Sequence, residues 1–183
     1  MAVSTSNYNI GWKAKEFKLK SINEKIYTLS DLKGPKGTVI AFICNHCPYV
    51  KAIADRIAFE SRELFKIGIH TIAIMSNDVD NYPEDSFENM KKFSKLHNFE
   101  FPYLYDNYQK VAKDYEAVCT PDFYGFNKLL ELQYRGRIDS GIINSNENEI
   151  KRELYEAMKL INETKKGPIV QNNSIGCSIK WKQ

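Results

Sequence analysis

Thr38-Val-Ile-Ala-Phe-Ile-Cys-Asn-His-Cys-Pro-Tyr-Val50 is the stretch on which the fold turns. Thr38 to Ile43 is short, apolar and rich in β-branched residues, and the turn cluster Gly34-Pro-Lys-Gly37 bounds it upstream. Such a run reads as a buried central strand. Pro48 suits the first position of a helix, where its missing N–H would have no partner anyway. Beyond it Ile53, Ile57, Leu64 and Phe65 recur at helical spacing, with Lys51, Asp55, Arg56, Arg62 and Glu63 free to face water and Gly68 as a stop. Cys47 therefore sits at the N-cap, between strand end and helix start. Unpaired backbone N–H groups and the positive end of the helix dipole favour a thiolate there. That placement lowers a cysteine pKa from about 8.5 into a range of roughly 3.5–7.5. The neighbouring His46 adds to the effect when protonated. Cys47 is the expected nucleophile.

Outward from this segment, strands alternate with helices. A hairpin is expected over residues 17–32, a second buried strand over Ile69–Met75 and a loop from Ser76. A helix is expected over Glu84–His97, a strand-like run over 99–105 and a short helix over Gln109–Tyr115. Two strands then follow around a turn, Phe123–Asn127 and Leu132–Ile138, and an amphipathic helix over Ile150–Glu163 closes the series. Strand–helix alternation argues for an α/β sheet, and the late adjacent strands add an antiparallel edge. Without repeats or a low-complexity linker, residues 1–183 read as one domain. About the first ten residues read as frayed, and 164–183 as a C-terminal extension.

The 183 residues are 43% hydrophobic, an ordinary globular composition needing no disulfide or metal staple. Net charge is +3 with scattered basic residues, which argues against nucleic acid as partner. Lys13, Lys15, Lys18 and Lys20 read as the solvated face of an edge strand. No run is long and apolar enough for a membrane span, and the first residues lack the blocks of a secretory signal, so a cytoplasmic location is expected. Four cysteines, Cys44, Cys47, Cys119 and Cys177, would then be free thiols unless chemistry uses them. Cys44, His46 and Cys47 give three metal-type ligands in four residues, but no second cluster follows at zinc-site spacing. No metal and no cofactor are expected. Arg135 and Arg137 read as solvated arginines of the late hairpin.

A second feature is Cys119-Thr-Pro-Asp-Phe123, a Thr-Pro step leading into an apolar strand. Asn77 and Asp78 follow the second buried strand at its C-terminal end, the edge where α/β sites gather. With Asn45 and Pro48 they are candidates to line the pocket of Cys47.

The strand 38–43, the Cys47-Pro-Tyr-Val50 helix start and the Thr120-Pro121 step resemble the thioredoxin superfamily. Phe42-Ile-Cys-Asn-His-Cys-Pro-Tyr-Val50 is very similar to a bacterial group filed with the alkyl hydroperoxide reductase and thiol-specific antioxidant (redoxin) family. Ser76-Asn-Asp78, Tyr82-Pro-Glu-Asp-Ser86, Phe101-Pro-Tyr-Leu-Tyr-Asp106, Cys119-Thr-Pro-Asp-Phe123 and Gly176-Cys-Ser-Ile-Lys-Trp181 support that group. The resemblance implies a central sheet flanked by helices, a cis Pro121 beside the reactive cysteine, and redox chemistry.

The motif departs from both better-known patterns. In a thioredoxin the first cysteine of Cys-x-x-Cys starts the helix; here Cys47 does so, and Val50 stands where the second would be. The thioredoxin buried aspartate has Ala41 at its matching position. Peroxiredoxins place a threonine or serine three residues before the reactive cysteine and a proline four before that; here stand Cys44 and Ile40. Disulfide exchange through Cys47 is therefore the expected activity. Thiol peroxidase is the alternative, and a non-catalytic interaction protein of this fold the third reading. Candidate resolving thiols are Cys44 or Cys119, ranked above Cys177, which can simply pack with Ile179 and Trp181; an external thiol such as glutathione is a further option. Expected partners are a thiol reductant, glutathione or thioredoxin-like, and a disulfide or peroxide substrate. The segment before Pro121, with Thr120, is expected to bind an extended substrate chain along its edge.

Overall fold

A computed structural model of the chain describes residues 2–5, 9–141 and 150–183. Its main sheet has seven strands. In chain order they are β2 (Lys18–Ser21), β3 (Ile26–Thr28), β4 (Gly37–Phe42), β5 (Ile69–Met75), β6 (Tyr103–Tyr105), β8 (Asp122–Asn127) and β9 (Leu132–Gly136). Across the sheet the order is β3-β2-β6-β5-β4-β8-β9. Strands β4, β5 and β6 run parallel, whereas β8 and β9 are antiparallel and complete one side. A second sheet of three short strands joins β1 (Ala2–Ser4), β10 (Ile175–Ser178) and β7 (Cys119–Thr120), in the order β1-β10-β7.

Alternation along β4 explains the layering. Val39 and Ala41 face one core, and Ile40 and Phe42 the other, as a two-residue period requires. The first core packs against α2 (Pro48–Lys66), α3 (Phe87–Leu96) and α5 (Glu153–Thr164), through Val50, Ala54, Ile57, Met90, Leu154 and Met158 among others. The second packs against α1 (Leu29–Leu32) and α4 (Lys110–Asp114), with the Tyr115 ring in edge contact with both Tyr124 and Phe126. Helices on both faces of a mixed sheet, with the long helix leaving the end of the central strand, make this a thioredoxin fold.

Several boundaries differ from the sequence reading for identifiable reasons. The 17–32 segment ends in α1 because Thr28 and Asp31 form a capping box, each side chain accepting the other's backbone N–H. Lys18 and Lys20 lie on β2, which has β3 on one side and β6 on the other, and so is not an edge. The helix expected from Glu84 divides into a 3-10 turn, Pro83–Asp85, and α3, because Asp85 turns inward. Pro102 cannot donate to a ladder, so β6 begins only at Tyr103. Residues 150–152 stay out of α5, with Lys151 bridged to Ser140.

The termini differ more. Of the residues read as frayed, Ala2–Ser4 form β1, while 1 and 6–8 lie outside the described residues. The C-terminal extension is built into the fold: β10 lies between β1 and β7. Arg135 is not solvated. It is buried, pairs with Asp122 at 3.1 Å and lies over the Tyr124 ring, and Arg137 is held by Glu153 at 2.7 Å. None of the helices among the described residues is long and apolar enough to cross a membrane.

Candidate active site

Cys47 is the N-cap of α2, with Pro48 at the first helical position. Its carbonyl accepts the first intrahelical bond, from Lys51 N at 3.0 Å. The Cys47 side chain makes no cap hydrogen bond, and among the first-turn amides that of Val50 favours its thiolate. The Cys44 and Cys177 thiols and the backbone N–H groups of Val50 and Cys177 favour the Cys47 thiolate. Together, and led by the Cys44 thiol, they overcome the cost of burial and lower its pKa to about 5. One contact works the other way. The neutral thiol donates to the Thr120 carbonyl at 3.2 Å, which favours the protonated form.

Cys44 closes a short relay. Thr120 Oγ1 lies 3.2 Å from Cys44 Sγ, and its hydroxyl donates there while the Cys44 thiol donates to Cys47. The hydroxyl that peroxiredoxins carry at position 44 is thus present one bond further out, on Thr120. Cys44 itself is held far above the ordinary thiol pKa by the hydrogen bond to Cys47, by burial and by the charge of Asp85.

The Thr120–Pro121 bond is cis. Thr120 and Cys119 form β7, and this short strand brings the tail to the site. Cys177 pairs with Thr120 and Ser178 with Cys119 in an antiparallel ladder. Gly176 makes the approach feasible: a Cβ there would stand 2.0 Å from the Thr120 oxygen and 3.0 Å from Pro121 Cδ. The edge expected to receive a substrate chain is therefore occupied by the protein's own C-terminal strand. Cys47 has no exposed surface.

The three other thiols stand differently toward Cys47. Cys119 Sγ turns to the Pro121 carbonyl, 3.8 Å away, and burial pushes its pKa far up. Alternation in β7 accounts for this, since Cys119 and Thr120 point to opposite faces. Cys177, read as packing with Ile179 and Trp181, pairs across the ladder with Thr120 and helps to lower the Cys47 pKa. It is half-buried, whereas the other three thiols are buried.

His46 is adjacent to Cys47 but its ring belongs to another partner. Nδ1 lies 2.6 Å from Asp85 Oδ2, and the ring stacks on Tyr82. The donors that lower the Cys47 pKa are the neighbouring thiols and amides, and His46 is not among the leading ones. Asn45, Asn77 and Asp78 hold the architecture together. Asn45 N and His46 N both donate to Asp85 Oδ1, at 2.8 and 3.1 Å, and Tyr103 donates to Asn45 Oδ1. Asn77 Nδ2 donates to Asp85 Oδ2 at 2.8 Å, while its Oδ1 accepts from Lys180 N at 2.9 Å. Asp78 N donates to the Lys180 carbonyl at 2.8 Å. These bonds tie the tail just beyond Cys177 to the loop that presents Cys47. Asp85 and Gly176 are the site residues the sequence reading left out, and it ranked Cys177 below Cys44 and Cys119. Asp85 and Gly176 stood within motifs it quoted, without a role attached.

Cys44, His46 and Asp85 also place one ligand-type atom each within 4.8 Å of the others. Hydrogen bonds already engage those atoms, so a metal would have to displace them. A groove of about 370 Å³ lies between Tyr49 and Ile53 of α2, Pro121, Ile138 and Ile175. Its charged residues are compensated, Arg137 by Glu153 and Asp139 by Arg56, which leaves an apolar lining. A roomier hollow of about 680 Å³, between Ile10, Gln133 and Thr164–Gln171, contains no thiol.

A thioredoxin fold with a cysteine at the start of its long helix and a cis-proline beside it is the architecture of a redoxin. The AhpC/TSA family model matches residues 10–140, and the chain belongs to that family. An uncharacterized conserved protein from Geobacillus kaustophilus is 41% identical and superposes with a TM-score of 0.93, covering 100% of this chain and 97% of that one. A hypothetical protein from Sinorhizobium meliloti 1021 is 32% identical, with a TM-score of 0.92 and 98% of each chain covered. A peroxidoxin from Mycobacterium tuberculosis shares the fold at 15% identity and a TM-score of 0.58, over 69% of this chain and 83% of that one. No curated protein matches the chain. Its function is redox chemistry of the redoxin kind.

Proposed function

We propose that the protein is a thiol–disulfide oxidoreductase in which Cys47 attacks the oxidised sulfur of a disulfide or mixed disulfide. The observation that carries this is the place of Cys47 at the N-cap of α2 and 3.2 Å from the carbonyl before the cis-proline, where its pKa is lowered to about 5. The thiolate forms an S–S bond with one substrate sulfur as the old S–S bond breaks, and the other sulfur leaves as a thiolate and takes a proton from solvent. A second thiol then attacks the Cys47 sulfur and frees the bound half. Two electrons from a cellular thiol, glutathione or a thioredoxin-like protein, return the enzyme to its reduced form. The groove beside Tyr49 and Pro121 is the place for an apolar part of the substrate. A reducing, cytoplasmic setting suits this cycle.

One observation favours peroxide reduction as a second reading. Cys47 is sealed and its flanking edge is filled by β10, so a small oxidant gains access more easily than a folded protein. There the Cys47 sulfur takes the distal oxygen of the hydroperoxide, the O–O bond breaks, and the alcohol or water leaves with the proton.

The deciding experiment gives the purified protein hydrogen peroxide, an organic hydroperoxide and a glutathionylated peptide, with Cys47→Ser as control. Cys47-dependent reduction of the peptide that outpaces peroxide consumption is the expected result. Rapid peroxide consumption with slow peptide reduction would make the protein a peroxidase. Equal activity in Cys47→Ser would remove Cys47 from the chemistry.

A further inference from the structure

We propose that Cys177 is the resolving thiol of Cys47, carried on a strand that the protein seats in its own substrate edge. The inference rests on Cys47 being the reactive sulfur and adds the identity of its partner.

Three independent features of the tail support it. The first is position. β10 pairs with the two residues before Pro121, and sets Cys177 directly across from Thr120, whose carbonyl is 3.2 Å from Cys47 Sγ. A substrate chain laid along that edge would put its own sulfur in the same place, so β10 mimics a bound cysteine peptide. The second is anchoring. Before Cys177, Arg137 N donates to the Asn172 carbonyl at 3.0 Å. After it, Ile179 N donates to Val118 O at 3.0 Å, and the Lys180 carbonyl accepts from Gln109 Nε2 at 2.7 Å and from Asp78 N. Contacts on both sides hold Cys177 at the site. The third is exposure. Cys177 is the only half-buried thiol of the four, so a disulfide that includes it presents a sulfur to an external reductant.

Electrostatics give the step an order in time. Burial, and then the hydrogen bond and charge of the Cys47 thiolate, hold Cys177 at a pKa of about 11. When Cys47 is oxidised its negative charge is gone, and two of those three causes vanish. Lys180 then favours the Cys177 thiolate. Cys44 is released in the same way from its hydrogen bond to the Cys47 thiolate, but keeps both its burial and the charge of Asp85, whereas Cys177 keeps burial alone.

From a Cys47 sulfenic acid, the Cys177 thiolate forms the S–S bond while the S–O bond breaks. The hydroxide leaves and, with the proton Cys177 released, becomes water. From a mixed disulfide, the same attack expels the substrate thiolate. Either route leaves a Cys47–Cys177 disulfide, and two equivalents of an external thiol reduce it.

The test oxidises the full-length protein with one equivalent of hydrogen peroxide or of oxidised glutathione, followed by peptide mapping without reductant. The expected product is a cross-linked Cys47–Cys177 peptide pair, two hydrogens lighter than the free peptides. In Cys177→Ser and Cys177→Ala, Cys47 should persist as a dimedone-reactive sulfenic acid or as a glutathione adduct. A Cys44–Cys47 linkage in the wild type overturns the inference and leaves the Cys47 reading standing. So does a Cys47 adduct that persists equally in the wild type and in both variants. Oxidation that spares Cys47 overturns both.

Discussion

Cys177 stands directly across the β7–β10 ladder from Thr120, whose carbonyl oxygen is 3.2 Å from the Cys47 sulfur. This one pairing sets reactive thiol, cis-proline segment and second thiol around a single point. It also means that the resting protein keeps its reactive sulfur covered.

Loosening β10 should therefore expose Cys47. A Gly176→Val side chain has nowhere to go against Thr120 O and Pro121 Cδ, so the strand must lift. The expected outcome is faster alkylation of Cys47 by a bulky maleimide, at a stability cost of about 1–3 kcal/mol for the overpacking. Labelling rates and a denaturant titration check both parts. Unchanged labelling with β10 displaced would mean that another element does the sealing.

Asp85 is expected to matter through the loop it holds. Asp85→Ala leaves the N–H groups of Asn45 and His46, and the Asn77 amide, without their acceptor inside the protein. Loss of hydrogen bonds to a charged group of this kind costs about 1.5–3 kcal/mol. Thermal melting should show that loss, and the rate of Cys47 oxidation should fall because the loop no longer presents the sulfur. Asp85→Asn keeps one acceptor and should lie between.

The buried Arg135–Asp122 pair is structural. Desolvation raises the Asp122 pKa to about 6 even with the guanidinium beside it. Arg135→Leu leaves a buried carboxylate without its counter-ion, and breaking such a pair costs about 3–5 kcal/mol. Because the folded pKa lies above the unfolded one, the carboxylate form weakens the fold. Without Arg135, which lowers that pKa, the variant should recover stability as the pH falls from above 6 towards the unfolded value of 3.8, which denaturant titrations at several pH values would show.

How much of this was legible in the sequence depends on how local the cause was. β4 and β5 are buried on both faces, so their apolar, β-branched runs identify them, and Pro48 marks the start of α2. Cys47 follows from those two facts alone. β10 has a weaker signature. Ile175, Cys177, Ile179 and Trp181 alternate with small or polar residues, but the run is short and its partners, the three-residue β1 and two-residue β7, lie far away in sequence. Asp85 sits in the first turn of what reads as a helix, where an acidic residue ordinarily caps. Its burial under the Cys44–Cys47 loop is a tertiary fact, as is the pairing of Arg135 with Asp122. The missed residues all act through long-range contacts, and those contacts decide which thiol faces Cys47.

The Cys44 thiol is the largest single cause of the lowered Cys47 pKa. Cys44→Ala should move that pKa up towards the ordinary thiol range, and Cys44→Ser, which keeps a donor, should move it less. The pH dependence of Cys47 alkylation in the three proteins reads this order directly.

The central claim is that Cys47 is ionised at neutral pH inside a covered site. Since its folded pKa lies below the unfolded value of 9.0, the thiolate stabilises the fold. That contribution is complete above the unfolded value and is lost as the pH falls through about 5. The most direct test needs no reagent to reach the sulfur: thiolate ultraviolet absorbance against pH, as the difference between the wild type and Cys47→Ser. The account predicts one thiolate titrating near pH 5 that the variant lacks. A difference curve that stays flat until the ordinary thiol range, above about pH 8, would contradict it.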